Sequence, residues 1–125
     1  MDEAVKIAVN ALNSRKAMDI EILHVGDITV MADYFVICSA SSSTQVRTLC
    51  DEVEYMLKEK LDLSPLHREG HQSSGWILLD YGFLIVHVFH REAREFYKLE
   101  HLWADGDHID PAALIEEEGE SNNEV

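Results

Sequence analysis

The run GWILLDYGFLIVHVFHREAREFYKLEHLW, residues 75–103, constrains the fold of this chain more than any other stretch. Trp76 to Asp80 and Phe83 to Phe89 are dense in β-branched, aromatic and leucine residues, and Tyr81-Gly82 between them includes a residue that tolerates positive φ. The pattern predicts a β-hairpin with a two-residue turn, followed by a short helix over Arg91 to Tyr97. With Tyr81-Gly82 as the turn, Asp80 pairs with Phe83, Leu79 with Leu84, Leu78 with Ile85, Ile77 with Val86 and Trp76 with His87. Successive strand side chains alternate between faces. One face then carries Ile77, Leu79, Leu84, Val86 and Val88 and is purely aliphatic, as a core face should be. The other carries Trp76, Leu78, Asp80, Phe83, Ile85 and His87, a mixture suited to a surface that its own chain covers only in part.

The remaining segments supply elements to pack against that hairpin. Residues 2–16 space Ala4, Val5, Ile7, Ala8, Ala11 and Leu12 as one helical stripe, with Asp2 and Glu3 at the positive end and Arg15 and Lys16 at the negative end. Met18 to Val25 alternates, with Met18, Ile20, Ile22 and His24 on one side of a predicted strand. Tyr34 to Ser39 is a short apolar run that fits a strand buried on both faces. Ser41 to Thr44 offers N-caps for a second helix from about 44 to 60, on whose exposed side Glu54 and Lys58 have the favourable i, i+4 order. Leu66 to Glu69, just after Pro65, reads as a short edge strand, and Gly70 to Gly75 as a polar loop. Asp110-Pro111 is placed to cap a short helix through Ile115, and EEEGESNNEV has the composition of a disordered end. The order α-β-β-α-β-β-β-α predicts an α/β (α+β) fold, a mixed β-sheet of about five strands flanked by helices.

Charge narrows the partners. Of 24 acids against 10 bases, eight acids lie from Asp105 onward, where no Lys or Arg occurs, so residues 1–104 hold 16 acids and 10 bases, a balance of −6. Phosphate-backbone binding needs clustered Lys and Arg, and none appears, so direct nucleic-acid recognition is not expected. A basic protein is the natural partner, although acidity also serves solubility alone. No run approaches the ~18 apolar residues of a membrane span, and the acidic start MDEAVKIAVN is unlike a basic, cleavable signal, which makes a cytoplasmic location the expectation. Cys38 and Cys50 sit in apolar settings and read as buried free thiols.

Chemistry is sparse. GxGxxG, GxxxxGK[ST] and GxSxG are all absent. Ser39 to Ser43 could cradle an anion at a helix N-terminus, but helix capping accounts for it. His67/His71 and His87/His90 have spacings of four and three without a His-Glu-x-x-His context, so no metal site is predicted. Asp80 ends a strand beside a turn with no second acid two residues away on that strand, and reads as a turn residue accepting backbone hydrogen bonds. Neither an enzyme nor a cofactor is expected.

Several separated motifs nevertheless occur in a recognisable order. Asp33 to Cys38, Ser42 to Val46, Glu69-Gly70, Trp76-x-x-x-Asp80-Tyr81-Gly82 with Val86 to Phe89, and Arg94-x-x-Tyr97-x-Leu99-Glu100-x-Leu102-Trp103 together resemble the Iojap-like ribosomal silencing factor family, RsfS. The resemblance spans about residues 2–105. It implies a domain over 1–105 similar to the nucleotidyltransferase fold without its catalytic acids, with 106–125 as an acidic tail outside the shared pattern. It also implies binding to ribosomal protein number fourteen of the large ribosomal subunit, a steric block to subunit joining, and repression of translation. A homodimer is a further expectation. Carried onto this chain, the partner-binding surface draws on Trp76, Leu78, Asp80, Tyr81 and His87, with Arg94, Tyr97, Lys98 and Glu100 as neighbours. Trp76 fits a core role as well as an interface hot spot, and Tyr97 and Trp103 read first as packing residues. Phe83 stands where the family usually has a polar residue and adds an aromatic that could widen an apolar contact patch. An assembly role for the large subunit and a nucleotide-binding protein are the alternatives; the second lacks a visible acid pair.

Overall fold

The computed structural model describes residues 3–26, 32–97 and 107–115. Helix α1, Glu3–Ser14, buries Ala4, Val5, Ile7, Ala8, Val9, Ala11 and Leu12. It stops two residues before the predicted end, because Lys16 turns left-handed (φ 65°) and the Ala17 N–H closes back onto the Leu12 carbonyl at 3.0 Å. Arg15 and Lys16 therefore lie past the helix, not in its last turn. Strand β1, Met18–His24, carries an irregularity between Met18 and Glu21, with Asp19 at φ 49°, so the predicted alternation begins only at Ile20.

Strand β2, Tyr34–Ala40, is buried on both faces as predicted, apart from Tyr34, which is partly covered. Helix α2, Ser43–Leu61, is capped by Ser42, whose Oγ accepts from the Gln45 N–H at 3.1 Å. Its Glu54 does not pair with Lys58. Arg68 reaches across from strand β3, His67–His71, to Glu54 and Asp51, while Lys58 bonds Asp62 at 2.7 Å. The sheet continues with β4, Trp76–Asp80, and β5, Leu84–His90, after which α3, Arg91–Tyr97, starts without a break.

The β4–β5 turn falls one residue later than predicted. Tyr81 and Leu84 are joined by an N–H···O bond of 2.8 Å across Gly82-Phe83, and Asp80 Oδ1 accepts from the Gly82 N–H at 2.7 Å. Gly82, at φ 88°, supplies the positive angle that a two-residue hairpin needs at its first central position. Tyr81 thereby lies before the turn instead of in it, and is buried at 6% exposure. The register becomes Asp80–Ile85, Leu79–Val86, Leu78–His87, Ile77–Val88 and Trp76–Phe89. A slip of two residues leaves each of these paired side chains on its predicted face.

Strand order is β3-β4-β5-β2-β1-β6 in one mixed sheet, with β2 and β5 parallel and the other pairs antiparallel. The sixth strand, β6, is Asp107–Ile109 and pairs with β1, one strand more than expected and beyond residue 105. Asp110 then caps a 3-10 turn at Pro111–Ala113, and the Leu114 carbonyl accepts from Asn10 Nδ2 at 2.8 Å on α1. Helices α1 and α2 cover one sheet face, enclosing Ile22, Val36, Cys38, Ile77, Leu79, Leu84, Val86 and Val88. The opposite face holds a second cluster of Leu23, Val25, Ala32, Phe35, Ile37, Ile85 and Phe89, with Trp76, Leu78 and Ala93 at its margin.

Candidate interaction surface on the second sheet face

Cross-strand neighbours order this second face into rows. His71, Trp76 and Phe89 form one, Glu69, Leu78, His87 and Ile37 the next, and His67, Asp80, Ile85 and Phe35 a third. Burial falls along each row toward β3, whose residues are exposed throughout. Trp76 and Leu78 are half-buried, so the apolar cluster reaches the surface at the β3–β4 end.

Trp76 is held from below. Its indole stacks on Phe89 at 4.9 Å between ring centroids with planes 23° apart, and its Nε1–H donates to His87 Nδ1 at 3.3 Å. His87 is 4% exposed and meets Phe35 edge-on at 4.9 Å. Burial pushes its pKa down to about 3, which keeps the ring neutral. Because Nδ1 accepts from the indole, the proton sits on Nε2, which is buried without a hydrogen-bond partner. Beside Trp76 a groove of about 220 Å³ is lined by Glu69, Gly70, Ser74, Trp76 and Leu78. Gly70, at φ 92°, makes that wall possible: a Cβ there would lie 2.2 Å from the Trp76 carbonyl oxygen. Ser74 Oγ donates to the His71 carbonyl at 2.6 Å, closing the 3-10 turn at Gln72–Ser74 that stands where a loose loop was expected.

Of the residues singled out from the sequence, Trp76, Leu78 and His87 come together on this face. Asp80 lies on it too, with its carboxylate engaged at the turn. Tyr81 lies on the other side of the sheet in the cluster under α1 and α2, and Phe83 also packs there, so the aromatic at the turn does not add to the patch around Trp76. Arg94 is buried at 8% exposure near the far strands, where it donates to the Asp19 carbonyl, to Ser39 Oγ at 3.0 Å and to Glu21 Oε2 at 2.8 Å. It ties α3 to β1 and β2. Tyr97 closes α3, and Lys98, Glu100 and Trp103 lie outside the described residues. Glu69, Gly70 and Ser74 are the groove residues that sequence reasoning left out of the surface. The Glu69-Gly70 pair was a signal, and the edge strand that presents Glu69 was expected, but reading Gly70 as the start of a loop ended it two residues before His71 and hid its pairing with Trp76.

No reaction centre is assembled from the other candidates. Ser42 caps α2, and Gln45 Oε1 occupies the neighbouring Ser41 N–H and Oγ at 2.6 and 2.8 Å. Cys38 and Cys50 are free and buried, and burial pushes both thiols up, Cys50 to about 12, far from a reactive thiolate. Among the described residues no group of three or more His, Cys, Asp or Glu is placed to hold a metal ion, and no helix is long and apolar enough to cross a membrane.

Comparison with known proteins decides the family. The family model described as "Ribosomal silencing factor during starvation" (RsfS) matches residues 1–125. The chain belongs to the RsfS family. A ribosomal silencing factor RsfS of Halalkalibacterium halodurans is 34% identical over 90% of this chain and 96% of its own length; that of Bacillus subtilis is 38% identical over 81% and 85%. A crystal structure of a Chromobacterium violaceum protein superposes with a TM-score of 0.78 at 33% identity, covering 83% of this chain and 88% of that one. RsfS proteins form a regulatory, non-enzymatic family, and this chain is a non-enzymatic member.

Proposed function

We propose that this protein is a ribosomal silencing factor that docks on the large ribosomal subunit through ribosomal protein number fourteen and blocks joining of the small subunit. The full-length family match carries the reading, since the bacterial relatives named RsfS align over four-fifths or more of the chain. The second sheet face supports it physically. An apolar, aromatic patch with a buried underside and a polar rim has the layout of a protein-binding surface, and an acidic chain of formal charge −14 suits a basic ribosomal protein. A standard interface of about 800 Å² on this side is enough to hold a steric obstacle in place. A cytoplasmic location and a homodimeric free form belong to the same proposal.

Co-sedimentation with separated large and small subunits, then with both under joining conditions, tests it. Binding to the large subunit alone, with fewer joined ribosomes, is the expected result. Trp76→Ala should keep the circular dichroism of the wild type and weaken large-subunit binding by more than ~2 kcal/mol, as a central aromatic anchor does. Loss of the folded spectrum would instead make Trp76 a core residue. A role in large-subunit assembly is the second reading. It is favoured by a mouse relative named "Mitochondrial assembly of ribosomal large subunit protein 1", 31% identical over 79% of this chain and 44% of its own length. Accumulation of immature large subunits in cells lacking the protein, with normal joining of mature ones, would select it.

A further inference from the structure

The groove beside Trp76 has a chemistry of its own. At about 220 Å³ it is smaller than the ~300 Å³ at which small-molecule pockets usually begin, and it has room for one long side chain. Its floor and one wall are the half-buried Trp76 and Leu78, and its rim is Glu69, directly across the strand pair from Leu78. The neighbouring Arg68 points through the sheet to the opposite side, where Asp51 and Glu54 hold it. The exposed Glu69 carboxylate thus has no ion-pair partner among the described residues, and no Lys or Arg lines the groove. We infer that this groove receives a single arginine or lysine side chain from a protein partner, its methylene stem lying along Leu78 and Trp76 and its cationic head meeting Glu69.

The physical argument is complementarity at two levels. Long cationic side chains cover apolar surface with their stems while keeping the head at a polar edge, which is the layout of Leu78, Trp76 and Glu69. A charge-assisted hydrogen bond at the rim of a hydrophobic patch also fixes register between partners, which the apolar contact alone does not. An acidic ligand would meet an unneutralised carboxylate and is disfavoured. This inference rests on the proposed binding face and makes Glu69 its specificity determinant.

Two measurements test it separately. In large-subunit co-sedimentation, Glu69→Gln should weaken binding about 10-fold and flatten its salt dependence, and Glu69→Lys should weaken it further, while Glu59→Lys on the exposed side of α2 leaves it unchanged. Wild-type affinity in both Glu69 variants would overturn the inference even if Trp76→Ala fails to bind. If the wild type does not sediment with the large subunit, the functional reading fails and the groove is still decided by NMR. Titration with Nα-acetyl-argininamide should shift the Trp76 indole N–H resonance in the wild type and not in Glu69→Gln. No shift in the wild type, or an equal shift in both, would overturn the groove assignment.

Discussion

His87 shows how much one buried side chain decides. Its folded pKa of about 3 lies below the ordinary 6.5, so between those values the unfolded chain holds a proton that the folded chain rejects. The contribution is complete above pH 6.5 and is lost as pH falls toward 3, at about 1.4 kcal/mol per pH unit. His87→Phe keeps a ring against Phe35 and removes the titration. Urea unfolding at pH 7.5 and 5.5 should therefore show a larger loss in the wild type than in the variant; equal losses would remove His87 as the source. The sequence placed His87 on the right face, since alternation alone does that. That its ring is sealed beneath Trp76 and serves as the indole's acceptor depends on Phe35 and Phe89, which arrive from two different strands. Arg94 was legible only as part of a motif, because its partners Asp19, Glu21 and Ser39 lie 55 to 75 residues away along the chain.

Among the elements, α2, β2 and β4 were readable because each carries its own period, caps and turn residues. The β4–β5 register was not, because both Tyr81-Gly82 and Gly82-Phe83 satisfy the local requirement for glycine, and burial of Tyr81 under the helices selects the second. Strand β6 was missed because three residues set among acids have no periodicity of their own; pairing with β1 makes them a strand. Strand β3 depends on Gly70. Gly70→Ala would drive a methyl group into the Trp76 carbonyl and strain a left-handed backbone, at a cost of more than ~2 kcal/mol. Thermal unfolding should show a lowered midpoint, and hydrogen exchange should show β3 amides losing protection first. Unchanged protection across Arg68 to His71 would mean that the strand relaxes around the methyl group and that the close approach is not needed.

For the whole molecule, α1 and α2 lie on one side of the sheet and the half-buried Trp76 and Leu78 on the other, and under the proposed function the charge distribution sets how a partner is approached. Ending the chain after Ile115 removes Glu116, Glu117, Glu118, Glu120 and Glu124, moving the formal charge from −14 to −9, while keeping β6 and the contact of Leu114 with Asn10. If the partner is basic, as proposed, the shortened chain should associate with large subunits several-fold more slowly at low salt, with little change in dissociation rate. Biosensor kinetics at two ionic strengths read both constants. Identical association rates at low salt would confine the steering to the domain itself.

The sequence alone determined the order of α-helices and strands from α1 to α3, the faces of the hairpin side chains Trp76 to Asp80 and Leu84 to Val88 but not that of Phe83, and the family, because local periodicity and spaced motifs are properties of the chain itself. Only tertiary structure decided the hairpin register, the sixth strand, the burial of Tyr81 and Arg94, and the groove that sets Glu69 beside Trp76 and Leu78. Each of those depends on which distant residues share the same volume, and close packing settles that only when the whole sheet and its helices are in place.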